Sequence, residues 1–82
     1  MDRSIDVVIQ SPRGQETFTF EKNVKVAEVI ETARTAFGFE PGEFALKRER
    51  DGETLALERP LVSYHIQDNE VLLLVPEMGA GV

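Results

Sequence analysis

Apolar and polar residues trade places along this chain with two different periods, and the switch between them divides it into elements. Residues 4–10 alternate, with Ile5, Val7 and Ile9 on one face and Asp6, Val8 and Gln10 on the other, which predicts a half-buried strand. Ser11-Pro12-Arg13-Gly14 is a turn signal, because Pro presets φ and Gly accepts positive φ. Residues 16–21 alternate again, with Phe18 and Phe20 on one side and Thr17 and Thr19 on the other, so the two strands form a β-hairpin. The period then lengthens. Val26, Val29, Ile30, Ala33 and Phe37 recur at three- and four-residue spacing, one face of a helix. Asn23 is its expected N-cap, Gly38 its left-handed C-terminal residue, and Glu40-Pro41-Gly42 bars continuation.

Alternation returns with Phe44 and Leu46, which begin a third strand with Ala45 and Lys47 on its other face. Asp51-Gly52 is a tight-turn dipeptide, and residues 54–57 read as a short return strand closed by Pro60. Residues 61–66 suit one turn of 3₁₀ or α-helix. Asp68-Asn69-Glu70 then turns into the unbroken apolar run Val71-Leu72-Leu73-Leu74-Val75, a strand that Pro76 must stop. The order is ββ-α-ββ-turn-β, which predicts an α+β fold: a mixed four- to five-stranded sheet packed on one helix. The expected core is Ile5, Val7, Ile9, Phe18, Phe20, Val26, Ile30, Ala33, Leu46, Leu61, Ile66, Leu72 and Leu74.

Leu61, Tyr64, Ile66, Gln67, Leu72 and Leu74 fall in the spacing L-x-x-Y-x-I-Q-x-x-x-x-L-x-L. This resembles the C-terminal part of ubiquitin, and the element order resembles the whole ubiquitin-like β-grasp. The resemblance implies that residues 1–76 form one domain and residues 77–82 a flexible tail. It implies a last strand parallel to the first and a helix over one sheet face. It also gives Tyr64 a structural role, bracing its loop through the hydroxyl.

The resemblance implies a function as well. In ubiquitin-like modifiers a C-terminal Gly carboxylate is adenylated with ATP by an activating enzyme, passed to a thiol and delivered to an amine. The corresponding tail here is Gly79, Ala80, Gly81 and Val82, small residues that let a backbone thread a narrow channel. Mature modifiers end in Gly, so Val82 is a departure that calls for trimming by a peptidase, of the zinc-dependent isopeptidase kind, or for an enzyme that accepts Val. The expected partners are the activating enzyme, a conjugating enzyme, a deconjugating peptidase and target proteins. Bacterial ubiquitin-like proteins of this size accompany such enzymes, in some cases in antiviral defence. The second candidate site is the outward face of the last strand. There Val71, Leu73 and Val75, with Val8 and Pro12, are expected to form an apolar patch of the kind that marks partner sites. Leu73 and Val75 match ubiquitin's docking patch, whereas Lys47 stands where ubiquitin has an aliphatic residue. Two other functions stay open: a non-conjugated β-grasp interaction module, and a sulfur carrier using a C-terminal thiocarboxylate.

Composition narrows these readings. The 82 residues carry a net charge of −6, fifteen acidic against nine basic side chains, and no Cys. No disulfide, thiolate metal site or thiol nucleophile is available on this chain. Acids spread along the chain argue against nucleic acid and anionic membrane as partners, both of which need clustered Lys and Arg. Met1-Asp2-Arg3-Ser4 opens no signal-peptide core, and no apolar run approaches the roughly 20 residues of a membrane span, so a cytoplasmic protein is expected. His65, without Cys or a carboxylate pair at ligand spacing, is a poor metal site, and no cofactor or catalytic set is predicted. The turn glycines form no phosphate loop. Lys47-Arg48-Glu49-Arg50 reads as a solvated hairpin paired to Glu53 and Glu58.

Overall fold

The structure is a computed structural model, and it describes residues 3–77. These form strands β1 (Ser4–Ser11) and β2 (Gly14–Glu21), helix α1 (Val26–Phe37), strands β3 (Phe44–Arg48) and β4 (Glu53–Thr54), a 3₁₀ turn at Leu61–Tyr64, and strand β5 (Glu70–Pro76). The sheet order is β2-β1-β5-β3-β4. Strand β5 lies in the middle, parallel to β1 and antiparallel to β3. This is the ubiquitin-like β-grasp that the sequence predicts.

Period-two alternation sends Ile5, Val7 and Ile9 of β1, Phe44 and Leu46 of β3, and Leu72 and Leu74 of β5 to one face of the sheet, where all are buried. Helix α1 covers that face with Val26, Val29, Ile30 and Ala33, while Leu55, Leu61, Ile66 and Phe39 close the ends of the layer. Phe18 and Phe20 were expected inside and are only half-buried. They stand on the outermost strand, at the limit of the helix's cover. Phe18 meets Phe37 edge-on, with ring centroids 6.0 Å apart.

The helix start differs from the Asn23 expectation. The N-cap is Lys25, in extended backbone, and no side chain caps the helix. The first free N–H groups are taken over from afar: Val26 donates to the Arg59 carbonyl and Ala27 to the Leu57 carbonyl. The helix end follows the sequence. Gly38 adopts φ 76°, and the Phe39 N–H returns to the Arg34 carbonyl at 3.0 Å. The return strand expected over residues 54–57 shrinks to Glu53–Thr54. Leu55 still donates to the Leu46 carbonyl, but the Ala56 N–H turns away to the Tyr64 hydroxyl.

Candidate functional site

Because β5 is central and alternates, the residues between its buried leucines must point out of the opposite face. Val71, Leu73 and Val75 do so and are half-buried. Their neighbours follow from register. Val71 lies beside Val8 of β1, Leu73 between Gln10 of β1 and Lys47 of β3, and Val75 beside Ala45 of β3. Pro12, in the β1–β2 turn, joins Gln10, Ser11, Leu73, Val75 and Pro76 around a shallow open depression. The structure therefore brings Val8, Pro12, Lys47, Val71, Leu73 and Val75 onto one continuous surface. It is an apolar strip along β5, flanked at its centre by an amide and an ammonium. No charged side chain of β5 interrupts the strip between Glu70 and Glu77. The other predicted site, Gly79, Ala80, Gly81 and Val82, lies outside the described residues.

Tyr64 braces its loop as expected: its hydroxyl accepts the Ala56 N–H at 2.7 Å. Tyr64→Phe is expected to cost about 1 kcal/mol, the usual net worth of one such hydrogen bond, read as a lower urea midpoint with unchanged slope. An unchanged midpoint would show that water replaces the hydroxyl. His65 is exposed in left-handed backbone at φ 53°. Among the described residues no group of three His, Asp or Glu is placed to hold a metal ion. No helix among them is long and apolar enough to cross a membrane.

The basic cluster is not the solvated hairpin read from the sequence. Lys47 faces out beside Leu73, but Arg48 faces in with a side chain only 11% exposed. Its guanidinium donates to Asp51, to Glu53 and to the Tyr64 carbonyl. Arg50 pairs with Glu70 at 3.0 Å. The expected partner Glu53 is present. Glu58 lies beyond the end of β4 and has no part in the ladder. The guanidinium beside Asp51 holds that carboxyl down at about 2, the hydrogen bond from Arg48 being the largest cause and the Glu53 N–H adding to it.

Sequence reasoning also missed two exposed apolar side chains, Leu57 and Val62, at 50% and 55% exposure. Leu57 falls in the expected return strand but beyond the end of the observed β4, and Val62 sits on the solvent side of the 3₁₀ turn. Neither lies on a periodic element long enough to show which way it points.

No family model matches the sequence, and no curated protein matches it significantly. Solved structures do match in fold. One chain, from a structure described as molecular mimicry of SUMO that promotes DNA repair, aligns with a TM-score of 0.81 at 17% identity, over 92% of this chain and 94% of its own. The ubiquitin-like domain of an Arabidopsis thaliana protein aligns with a TM-score of 0.76 at 20% identity, over 89% of this chain and 77% of its own. A protein designed de novo on ubiquitin gives 0.76 at 20%, over 88% and 87%. At these identities the likeness is one of fold.

Proposed function

We propose that this chain is a ubiquitin-like protein modifier: a substrate of enzymes, recognised through the outer face of its sheet and joined to other proteins through a glycine of its tail. The observation that carries the reading is the position of β5. The strand whose outward Leu73 and Val75 form the apolar strip is also the strand that leads into Gly79-Ala80-Gly81. A partner seated on the strip is thereby held close to the tail. Residues 77–81, if extended, reach about 17 Å beyond the strand, enough to enter a narrow channel.

The chemistry follows the family it resembles. A peptidase hydrolyses the bond after Gly81, which frees a glycine carboxylate whatever follows it. That carboxylate attacks the α-phosphate of ATP and pyrophosphate leaves. An enzyme thiol displaces AMP to form a thioester, and a target amine displaces the thiol to form an isopeptide bond. This chain contributes a backbone without bulky side chains and a docking face. It needs no catalytic group of its own.

The test is the intact and peptide mass of the protein recovered from its own cells. The expected result is a population ending at Gly81, together with peptides in which Gly81 is joined to a lysine of another protein. A chain that always continues through Val82 and is never joined to anything would overturn the reading. In that case the apolar strip would favour a non-conjugated interaction module. A gain of about sixteen daltons placed on the Gly81 carboxyl and not on Met1 or Met78, one oxygen exchanged for sulfur, would instead identify a sulfur carrier.

A further inference from the structure

Strand β2 is the outer strand on its side of the sheet, and among the described residues no other strand pairs with its free edge. Natural edges are blunted by charged side chains, Lys above all, by Pro, by bulges or by shortness, and the only charges on this one are Glu16 and Glu21. Gly14–Glu21 has eight residues, no Pro, Lys or Arg, and pairs one-for-one with β1 along its whole length without a bulge. The Lys22 N–H donates to the Arg3 carbonyl at 2.8 Å. Even-numbered residues of this strand therefore turn their backbone groups toward β1. The N–H and C=O groups of Gln15, Thr17, Thr19 and Glu21 face outward.

We propose that β2 pairs antiparallel with β2 of a second copy about a two-fold axis at Thr19, making one continuous sheet from two chains. The register follows from the side chains. Outward backbone groups must meet outward ones, so trial registers differ in steps that move the axis by one residue. With the axis at Thr19, Phe18 stands opposite the partner's Phe20, and Glu16 comes opposite the partner's Lys22, the turn residue that directly follows β2, once on each side of the axis. Thr17 then faces Glu21, and Thr19 faces its own copy. Moving the axis to Phe18 sets Glu16 against Phe20. Moving it to Phe20 sets Lys22 against Phe18. The Thr19 axis therefore pairs aromatic with aromatic and acid with base, and places no like charges opposite each other.

Other observations fit this occupant. Phe18 and Phe20 are half-buried and stacked on each other at 6.0 Å, which leaves ring surface for a partner's rings to cover. Phe18 and Phe20 fall at a non-hydrogen-bonded pair, where Cα atoms approach to about 4.5 Å and side chains meet most closely. Glu16 and Lys22 are both exposed and make no side-chain hydrogen bond or ion pair with another described residue. The contact is isologous and closes on itself, so it stops at a dimer. It leaves the apolar strip of β5 uncovered.

The experiment is sedimentation velocity on the full chain over a wide concentration range, with circular dichroism to confirm that each variant is folded. The expected result is a monomer of 9.2 kDa giving way to a species of about twice that mass as concentration rises. Lys22→Glu places two like-charged pairs across the contact and is expected to weaken the dimer about tenfold. Combining it with Glu16→Lys swaps the charges and is expected to restore the dimer. Thr19→Lys, which sets two ammonium groups face to face at the axis, is expected to weaken it as well. A monomer at every concentration overturns the proposal. So does a dimer indifferent to Lys22→Glu, and so does a weakened dimer that the charge swap fails to restore.

Discussion

Leu72→Ala is expected to bring the protein close to unfolding, while Leu73→Ala, one residue on, leaves it stable. Both positions lie on the central strand, and their side chains have the same size. Leu72 is 0% exposed, flanked by Ile9 of β1 and Arg48 of β3. Removing its branched end opens a cavity that neighbouring strands, held on both sides by ladder hydrogen bonds, have little freedom to close. Such truncations cost about 3–5 kcal/mol. A domain of this length has about 4–12 kcal/mol in total, so the loss is a large share of it. Leu73 faces out and is half-buried, so its truncation should cost about 1 kcal/mol or less. Urea unfolding followed by circular dichroism measures both. Similar midpoints for the two variants would mean that the alternation of β5 is misassigned, and with it the outward strip on which the functional reading rests.

The same alternation explains what could be read without a structure. Ile5-x-Val7-x-Ile9 and Leu72-x-Leu74 are buried as their spacing predicts, and Val26, Val29, Ile30 and Ala33 make the covering face of the helix. In these elements the local period and the tertiary environment agree. The patch of Val8, Lys47, Val71, Leu73 and Val75 was legible for the same reason, because burying one face of a strand settles where the other points. The misreadings fall where a distant segment decides. Asn23 was a reasonable cap by type, but Val26 and Ala27 find acceptors on the segment around Leu57 and Arg59, thirty or more residues away, so the helix needs no side-chain cap. Residues 54–57 looked like a strand until the Tyr64 hydroxyl drew the Ala56 N–H out of the ladder. Val29, Phe39, Phe44 and Leu55 are buried but were absent from the expected core, although Val29 was placed on the apolar helix face. Phe39 and Leu55 lie outside regular elements, and Phe44 is the first residue of its strand, where alternation has scarcely begun. Phe18 and Phe20 erred the other way, since aromatic character gives no sign that a strand lies at the sheet's edge.

Arg48 is the residue whose role the sequence hid most completely, and Arg48→Met is expected to be the second most damaging substitution, above Tyr64→Phe and below Leu72→Ala. Strand β3 sends Phe44, Leu46 and Arg48 inward in turn, so the third inward position is a cation. Its stem can pack like an apolar side chain. Its planar head ties three places together: the tight turn through Asp51, strand β4 through Glu53, and the end of the 3₁₀ turn through the Tyr64 carbonyl. Methionine keeps the stem and deletes every one of these bonds. Arg48→Lys keeps the charge but not the fork, and should fall between the two.

Acid separates the ion pairs of Arg48 from its hydrogen bond to the Tyr64 carbonyl. Asp51 lies at about 2 in the folded protein against an ordinary 3.8, with Arg48 the main cause. A carboxyl lowered on folding binds its proton more weakly in the native state than in the unfolded one. Its stabilisation is therefore complete above the unfolded value and is lost as pH falls through the folded one. Glu53, Glu70 and Arg50 also face this guanidinium or its partners. Thermal melts of the native protein and Arg48→Met should differ most near neutrality and draw together between about pH 4 and pH 2, where Asp51 takes up its proton. A gap that persists unchanged to pH 2 would assign the loss to the hydrogen bond from the guanidinium to the Tyr64 carbonyl, which protonation of the carboxylates leaves in place. A gap that closes would show that the ion pairs of Arg48 with Asp51 and Glu53, set on an inward strand position, hold the β3–β4 hairpin against the edge of the core.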